Sequence, residues 1–424
     1  MNGGLSMVEM KSGYKMTEVG VIPEDWEVKT LGKLACINGR IGFRGYTVKD
    51  LVRKGEGAIA IGGKHISKNY LDLSDAEYIS WKKYYESPKI MVKQGDIVLA
   101  QRGTLGKSAL IKSDIGPATI NPSLVLINKI KCNNLYLIYN MQSSSVTDYI
   151  LQINSQTSIP MISQKQIEGI KIAIAKLDCE QAAIATALSD VDSLISALTK
   201  KIEKKKAIKQ GLMQQLLTGK KRLPGFNDKW KSMLLGDIAE VKDGTHQTPK
   251  YVKSGGKPFY SVENVTADDF KNVKHISLEE HKALTSNYRI EKGDVLMTRI
   301  GSIGCCKYVD WDVDASFYVS LALLKINEKY DSKFISYLSN IKSFKEEVML
   351  NSLVFAIPQK INLGNISLIK VYIPTSKAEQ TAIANILSDC DSEIAALEEK
   401  RDKYKEIKQG MMQQLLTGKI RLIK

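Results

Sequence analysis

Apolar residues at Ile184, Leu188, Val191, Ile195, Leu198 and Ile202 recur in alternating steps of four and three, and Ile383, Leu387, Cys390, Ile394 and Leu397 repeat the spacing. That period predicts two helices with a coiled-coil seam. Neither tract contains proline; each opens on an acidic residue and closes at Thr-Gly, where Gly219 and Gly418 suit a left-handed helix stop. Roughly 38 residues at about 1.5 Å each make a rod of about 57 Å. Elsewhere, across residues 24–175 and 228–375, short β-rich runs ("DIVLA", "SLVLI", "DVLMT", "VSLALLKI") alternate with turn clusters and helical stretches such as 330–348. The pattern predicts an α+β chain in which two long helices separate two α/β domains.

Residues 180–223 and 379–422 align without a gap at an offset of 199, with 30 identities in 44 positions. The chain is therefore a tandem duplication. Outside these tracts only a frame persists: Trp26, Leu31 and Gly32 answer Trp230, Leu235 and Gly236, "GDIVLAQRGTLG" answers "GDVLMTRIGSIG", and "SIP" at 158 answers "AIP" at 356. Four segments follow: a first domain over 1–177, a helix over 178–222, a second domain over 223–376 and a second helix over 377–424. Copies related by a pseudo-twofold axis perpendicular to the rods pack antiparallel. If fully overlapped, the helices cross near Leu198 and Leu397, where Lys200 and Lys201 would face Glu398 and Glu399.

The formal charge of +15 suggests a polyanionic partner. Six cysteines without Cys-x-x-Cys spacing or nearby histidines read as buried free thiols. No apolar run approaches the roughly 18 residues of a membrane span, and the amino terminus lacks a signal-peptide pattern, so a cytoplasmic protein is expected. Catalytic motifs do not stand out. "GTLGKS" at 103–108 ends like a phosphate loop, but Gln101 replaces its first glycine and Cys305 replaces the lysine in the second copy. Glu24, Asp25, Glu27 and Lys29 superficially suggest a nuclease cluster; the carboxylates are too close in sequence to span separate strands, and the second copy does not keep them. The four histidines show no metal spacing.

Two different readers on a fixed spacer suit recognition of two short sequences a set distance apart on a duplex, whose turn is ~34–36 Å. The chain resembles the specificity subunit of type I restriction–modification systems over essentially its full length. The features that carry this are "GVIPEDWEVKTLGKL", the paired glycine loops, "DGTHQTPKY", the "EQxAIAxxLSDxDSxI" openings and both "QQLLTGK" closings. The resemblance implies two target recognition domains separated by two conserved helices, and a non-catalytic role in recognising a bipartite target in double-stranded DNA. It also implies two modification subunits that methylate adenine with S-adenosylmethionine, and ATP- and Mg-dependent restriction subunits; no cofactor is expected on this chain. Met213, Leu216 and Leu217, with Met412, Leu415 and Leu416, offer a docking surface for two copies of one partner, or are spent within the coiled coil. A self-sufficient nuclease and a protein-binding scaffold are the alternatives.

Base readout favours Arg or Lys on guanine and Asn or Gln on adenine. The candidates are Gln101, Arg102, Thr104 and Lys107 in the first glycine loop, and Thr298, Arg299 and Ser302 in the second. "DGTHQTPKY" adds Thr245, His246, Gln247, Lys250 and Tyr251, and its counterpart "NGRIGFRGY" adds Arg40, Arg44 and Tyr46. Lys64 and His65, the aligned Asn264, and Gln156, Thr157 and Ser158 before the shared Ile-Pro complete the set. Tight turns and solvated loops are the bland reading of the same residues.

Overall fold

The computed structural model describes residues 12–42, 45–67, 70–154, 160–353 and 355–423. Two compact units divide the chain, Met1–Leu198 with Lys400–Lys424, and Thr199–Glu399. The boundaries thus fall inside the long helices: each unit combines one α/β domain with half of the central helix, Asp178–Leu216, and half of the C-terminal helix, Lys377–Leu415. Four consecutive segments, as the repeat suggested, are not how the core is partitioned.

Within the first unit, one four-stranded sheet is ordered Ser108–Leu110, Ile97–Ala100, Leu124–Asn128, Cys36–Gly39, all antiparallel. A second is ordered Ala118–Ile120, Gly57–Ile61, Glu77–Ser80, Leu51–Val52, with its first pair parallel. The apolar runs are continuous because the first sheet is buried on both faces. Ile97 and Leu99 enter one core with Val125 and Ile127, while Val98 and Ala100 enter another with Leu124 and Leu126.

The second unit repeats this plan. Ala239–Asp243, Leu321–Ile326, Val295–Thr298 and Cys306–Tyr308 form the two-sided sheet, and Tyr251–Val252, Lys274–Ile276, Lys257–Tyr260 and Ser316–Phe317 form the other. Expected strands are found where the apolar runs lie; the expected helical stretch 330–348 is two helices, Ser332–Leu338 and Lys342–Leu350.

The helices run antiparallel in both units. In the first, Asp192 pairs with Lys408 at 2.7 Å and Glu180 with Arg421; in the second, Lys205 pairs with Glu393 at 2.7 Å and Arg222 with Glu379 at 2.6 Å. Glu398 does find a lysine, but Lys206 at 2.6 Å rather than Lys200 or Lys201.

Identical residues in the two tracts repeat identical contacts. Leu415 and Leu416 join the core holding Trp26, Ile184 and Leu188, and Leu216 and Leu217 join the core holding Trp230, Ile383 and Leu387. Fully buried Glu180 accepts from Trp26 Nε1 at 3.1 Å and from Arg421, which also reaches Asp25 at 2.9–3.0 Å. Fully buried Glu379 accepts from Trp230 Nε1 at 3.4 Å and from Arg222. Gln181 and Gln380 each accept a backbone N–H, from Asn133 and Asp331, at 2.9 and 2.8 Å. Tyr139 donates to Asp192 beside Lys408, and Tyr337 to Asp391 beside Lys209. Each helix end closes on a left-handed glycine, Gly219 at φ +68° and Gly418 at +67°.

Two expectations are corrected. Cys36, Cys179 and Cys305 are exposed and the other three cysteines half-buried, all free; burial and Asp178 push the Cys132 thiol up to about 11. The central helix does contain an 18-residue window of mean hydropathy 1.3, long and apolar enough by composition to cross a membrane. Alanines and the scarcity of charge between Gln181 and Leu198, where only Asp190 and Asp192 occur, raise the value. Here Ile184, Ala185 and Leu188 from that stretch lie in the first unit's core.

Candidate nucleic-acid interface

Each glycine loop is the connection of a hairpin in the two-sided sheet: residues 101–107 join Ile97–Ala100 to Ser108–Leu110, and 299–305 join Val295–Thr298 to Cys306–Tyr308. Gly103, Gly106, Gly301 and Gly304 all take positive φ, so the turn requires them. A second strand of backbone is tied to each hairpin. Ile162 N donates to Gln101 O at 3.0 Å, and Ile361 N to Arg299 O at 2.9 Å.

Within these loops the candidates divide by burial. Gln101 is buried and its amide nitrogen donates to Pro122 O and Leu124 O at 3.0 and 3.3 Å. Thr298 is sealed, with its hydroxyl accepting from Cys305 N at 2.9 Å. Arg299 is buried, its Nη1 2.6 Å from Asp243 Oδ1 and its Nε donating to Ile361 O. These three hold the hairpins in place; they are not free to meet a base edge, because their polar atoms are spent on the fold. Arg102, Thr104, Lys107 and Ser302 are exposed on the same loops.

Asp243 is the hub that sequence reasoning missed, although it opens the quoted "DGTHQTPKY". It joins Arg299 of the hairpin to His246 Nε2 at 2.8 Å, and its carbonyl accepts from Tyr288. The loop and the hairpin are thereby brought together in the second unit. Gly244 is required where the loop crosses Tyr318, since a Cβ there would lie 2.5 Å from its backbone. His246, Gln247, Lys250 and Tyr251 are exposed, with Lys274 over the Tyr251 ring at 4.9 Å; Thr245 caps its own turn through Gln247 N.

In the first unit Arg40 is buried, donating to Ile120 O and Thr119 Oγ1 at 3.0 and 2.9 Å, with its guanidinium 5.4 Å over Tyr46. Burial pushes the Tyr46 phenol up. His65 is also buried, its Nδ1 accepting from Gly62 N at 2.9 Å. Asn264 caps its helix, accepting from Ser261 N and donating to Asp269 O. For Arg40, His65 and Asn264 the structure assigns architectural bonds where base contacts were expected. Lys64 is half-exposed and held by Asp75, whose hydrogen bond raises its pKa, and by Glu77. Arg44, Gln156, Thr157 and Ser158 lie outside the described residues.

A docking role for Leu216, Leu217, Leu415 and Leu416 is likewise corrected, since all four are buried in the cores. Met213 and Met412 are only partly buried and line two grooves. In the second unit Gln210, Met213, Gln214 and Thr218 face Lys342–Leu350 across about 1320 Å³. In the first, the copied Gln409, Met412, Gln413 and Thr417 face residues 142–148 across about 490 Å³.

One constellation resembles a catalytic triad: His281 lies 3.0 Å from Ser316 Oγ and 2.9 Å from Asp314 Oδ1. Ser316 is only 3% exposed, so its hydroxyl meets no substrate, and the group ties the helix Leu278–Leu284 to its sheet. Among the described residues no cluster of three metal-ligating side chains occurs.

A model of the type I restriction modification DNA specificity domain matches residues 23–210 and 227–409. The chain belongs to that family. A Methanocaldococcus jannaschii protein provisionally described as the type I restriction enzyme MjaX specificity subunit is 28% identical, over 97% of each chain. The MjaVIII specificity subunit of the same organism is 26% identical, over 95% of this chain and 94% of its own. The crystal structure of a type I restriction–modification system S subunit from M. genitalium shares the fold, with a TM-score of 0.61 at 16% identity over 92% of this chain and 96% of that one. The two family matches each contain one hairpin with its tethered backbone, so the family's domain is present twice.

Proposed function

We propose that this chain is the DNA sequence-specificity subunit of a type I restriction–modification complex, non-catalytic itself, with one domain for each half of a bipartite target. The observation that carries this is one topology written twice with different chemistry exposed on corresponding loops. Arg102, Thr104 and Lys107 stand on the first hairpin; Ser302 stands on the second beside His246, Gln247 and Lys250. A shared frame with divergent exposed donors is what two unlike half-sites require. The charge of +15 supports a duplex partner.

The 39-residue helices serve as spacer, each about 58 Å long at ~1.5 Å per residue. Two modification subunits dock at the two grooves, because one wall of each is built from the same four residues, Gln210, Met213, Gln214 and Thr218 or their copies. S-adenosylmethionine belongs to those subunits, and ATP and Mg to restriction subunits.

The test is to express this chain with its modification subunit in a methylation-free host and map N6-methyladenine across the genome. Two short specified sequences at a constant separation are expected. Methylation at unrelated single sites, or the same pattern without this chain, would overturn the assignment.

A further inference from the structure

Beside the second hairpin stands the most exposed apolar group among the described residues: Phe355 is 97% exposed and Ile357 99%. Leu353 adjoins them at 37%. Large apolar side chains left this bare are normally covered by something. Their position says by what. The segment is laced to the hairpin, with Gly301 N donating to Gln359 O at 2.8 Å, Ile361 N to Arg299 O at 2.9 Å, and Lys360 bridging antiparallel to both Ile300 and Leu353. The segment that carries Phe355 and Ile357 is thus bonded through its backbone to residues 299–301 of the hairpin, next in sequence to the exposed Ser302. Lys360, in the same lacing, is exposed and cationic, as a contact to a phosphate requires.

The tandem repeat supplies an independent argument. Before the shared Ile-Pro the first domain reads Ser155-Gln156-Thr157-Ser158, and the second reads Leu353, Phe355 and Ala356 at the matching places. One domain carries hydrogen-bonding side chains there and the other carries hydrocarbon. In the major groove each base edge offers donors and acceptors except for one apolar feature, the C5-methyl of thymine.

We infer that Phe355 and Ile357 form an apolar reader in the second domain that recognises thymine C5-methyl groups in its half-site. This rests on the proposed function and deepens it by naming the chemistry read at one place. It predicts a half-site in which one or two thymines are specified by their methyl groups, on whichever strand faces this loop.

The experiment uses the complex of the full chain with its modification subunits, on a duplex carrying the methylation-mapped target, with the second domain's half assigned by domain exchange. Thymines in that half are replaced singly by uracil, which deletes only the methyl. Loss of one buried methyl should weaken binding about three- to tenfold at one or two positions. Phe355→Ala and Ile357→Ala should remove that sensitivity, binding thymine and uracil duplexes alike, with recognition of the other half unchanged. Sensitivity at no thymine, a half-site lacking thymine, or an undiminished methyl effect in both variants would overturn the inference. Absence of any bipartite methylation by the wild-type complex would instead strike the proposed function itself.

Discussion

Glu180 and Glu379 are carboxylates with no exposed surface, each answered by an arginine from the far end of the partner tract and by a tryptophan N–H. A buried charge is tolerable only while its partners remain. Arg421→Ala should therefore destabilise the first unit by about 3–5 kcal/mol, read as a lowered midpoint in chemical denaturation. Arg421→Lys should restore only part, because an ammonium cannot make the forked contact. The same arginine, first through its hydrogen bond, holds the half-exposed Asp25 carboxyl below its ordinary value of 3.8. A depressed pKa stabilises above the ordinary value and fades as pH falls through the depressed one. Wild type and Asp25→Asn should accordingly differ near neutral pH and converge progressively below 3.8. The identity of these residues in both tracts was visible in the sequence, but their job was not. Glu180 meets Trp26 from 154 positions away, and a lone alignment does not say which way a side chain points.

Long helices and central strands were legible because burial imposes a period. Ile184 and Leu188 enter a core at helical spacing, and Ile97 to Ala100 alternate between two cores at strand spacing. Two-residue strands such as Leu51–Val52 and Tyr251–Val252 were not, since they are too short to show any period. Helix ends were legible through glycine, although the two are packed differently. A Cβ at Gly219 would approach Trp230 Cδ2 at 3.2 Å, whereas at Gly418 it would lie 2.4 Å from Pro23 Cγ. Gly219→Ala should cost about 1–2 kcal/mol for its left-handed backbone. Gly418→Ala should cost more, because a proline ring cannot move aside as a flexible chain end does. Thermal denaturation of the two full-length variants checks the order.

Each unit carries one α/β domain with its own set of exposed loop side chains, and the framework beneath them is the same in both. Replacing 24–175 by the corresponding domain of another family member should exchange one half-site and leave the other and the separation intact, as read by methylation mapping. Success requires that the incoming domain supply a tryptophan for Glu180, an acid for Arg421 and a tyrosine for Asp192, the roles of Trp26, Asp25 and Tyr139. A donor without them should fold poorly whatever its reading loops contain.

By itself the sequence determined the duplication, the two long helices, the strand-rich domains and the glycine loops that join paired strands, because each leaves a local signature in period, identity or glycine. Tertiary structure alone decided which polar residues on those loops are free. Gln101, Arg299, Arg40 and His65 have the side chains of base readers and spend them on Leu124, Asp243, Thr119 and Gly62. It also decided that Leu216 and Leu416 are core and that Phe355 is bare. Burial and hydrogen-bond satisfaction are set by neighbours remote in sequence, so no reading of residue types along the chain could have assigned them.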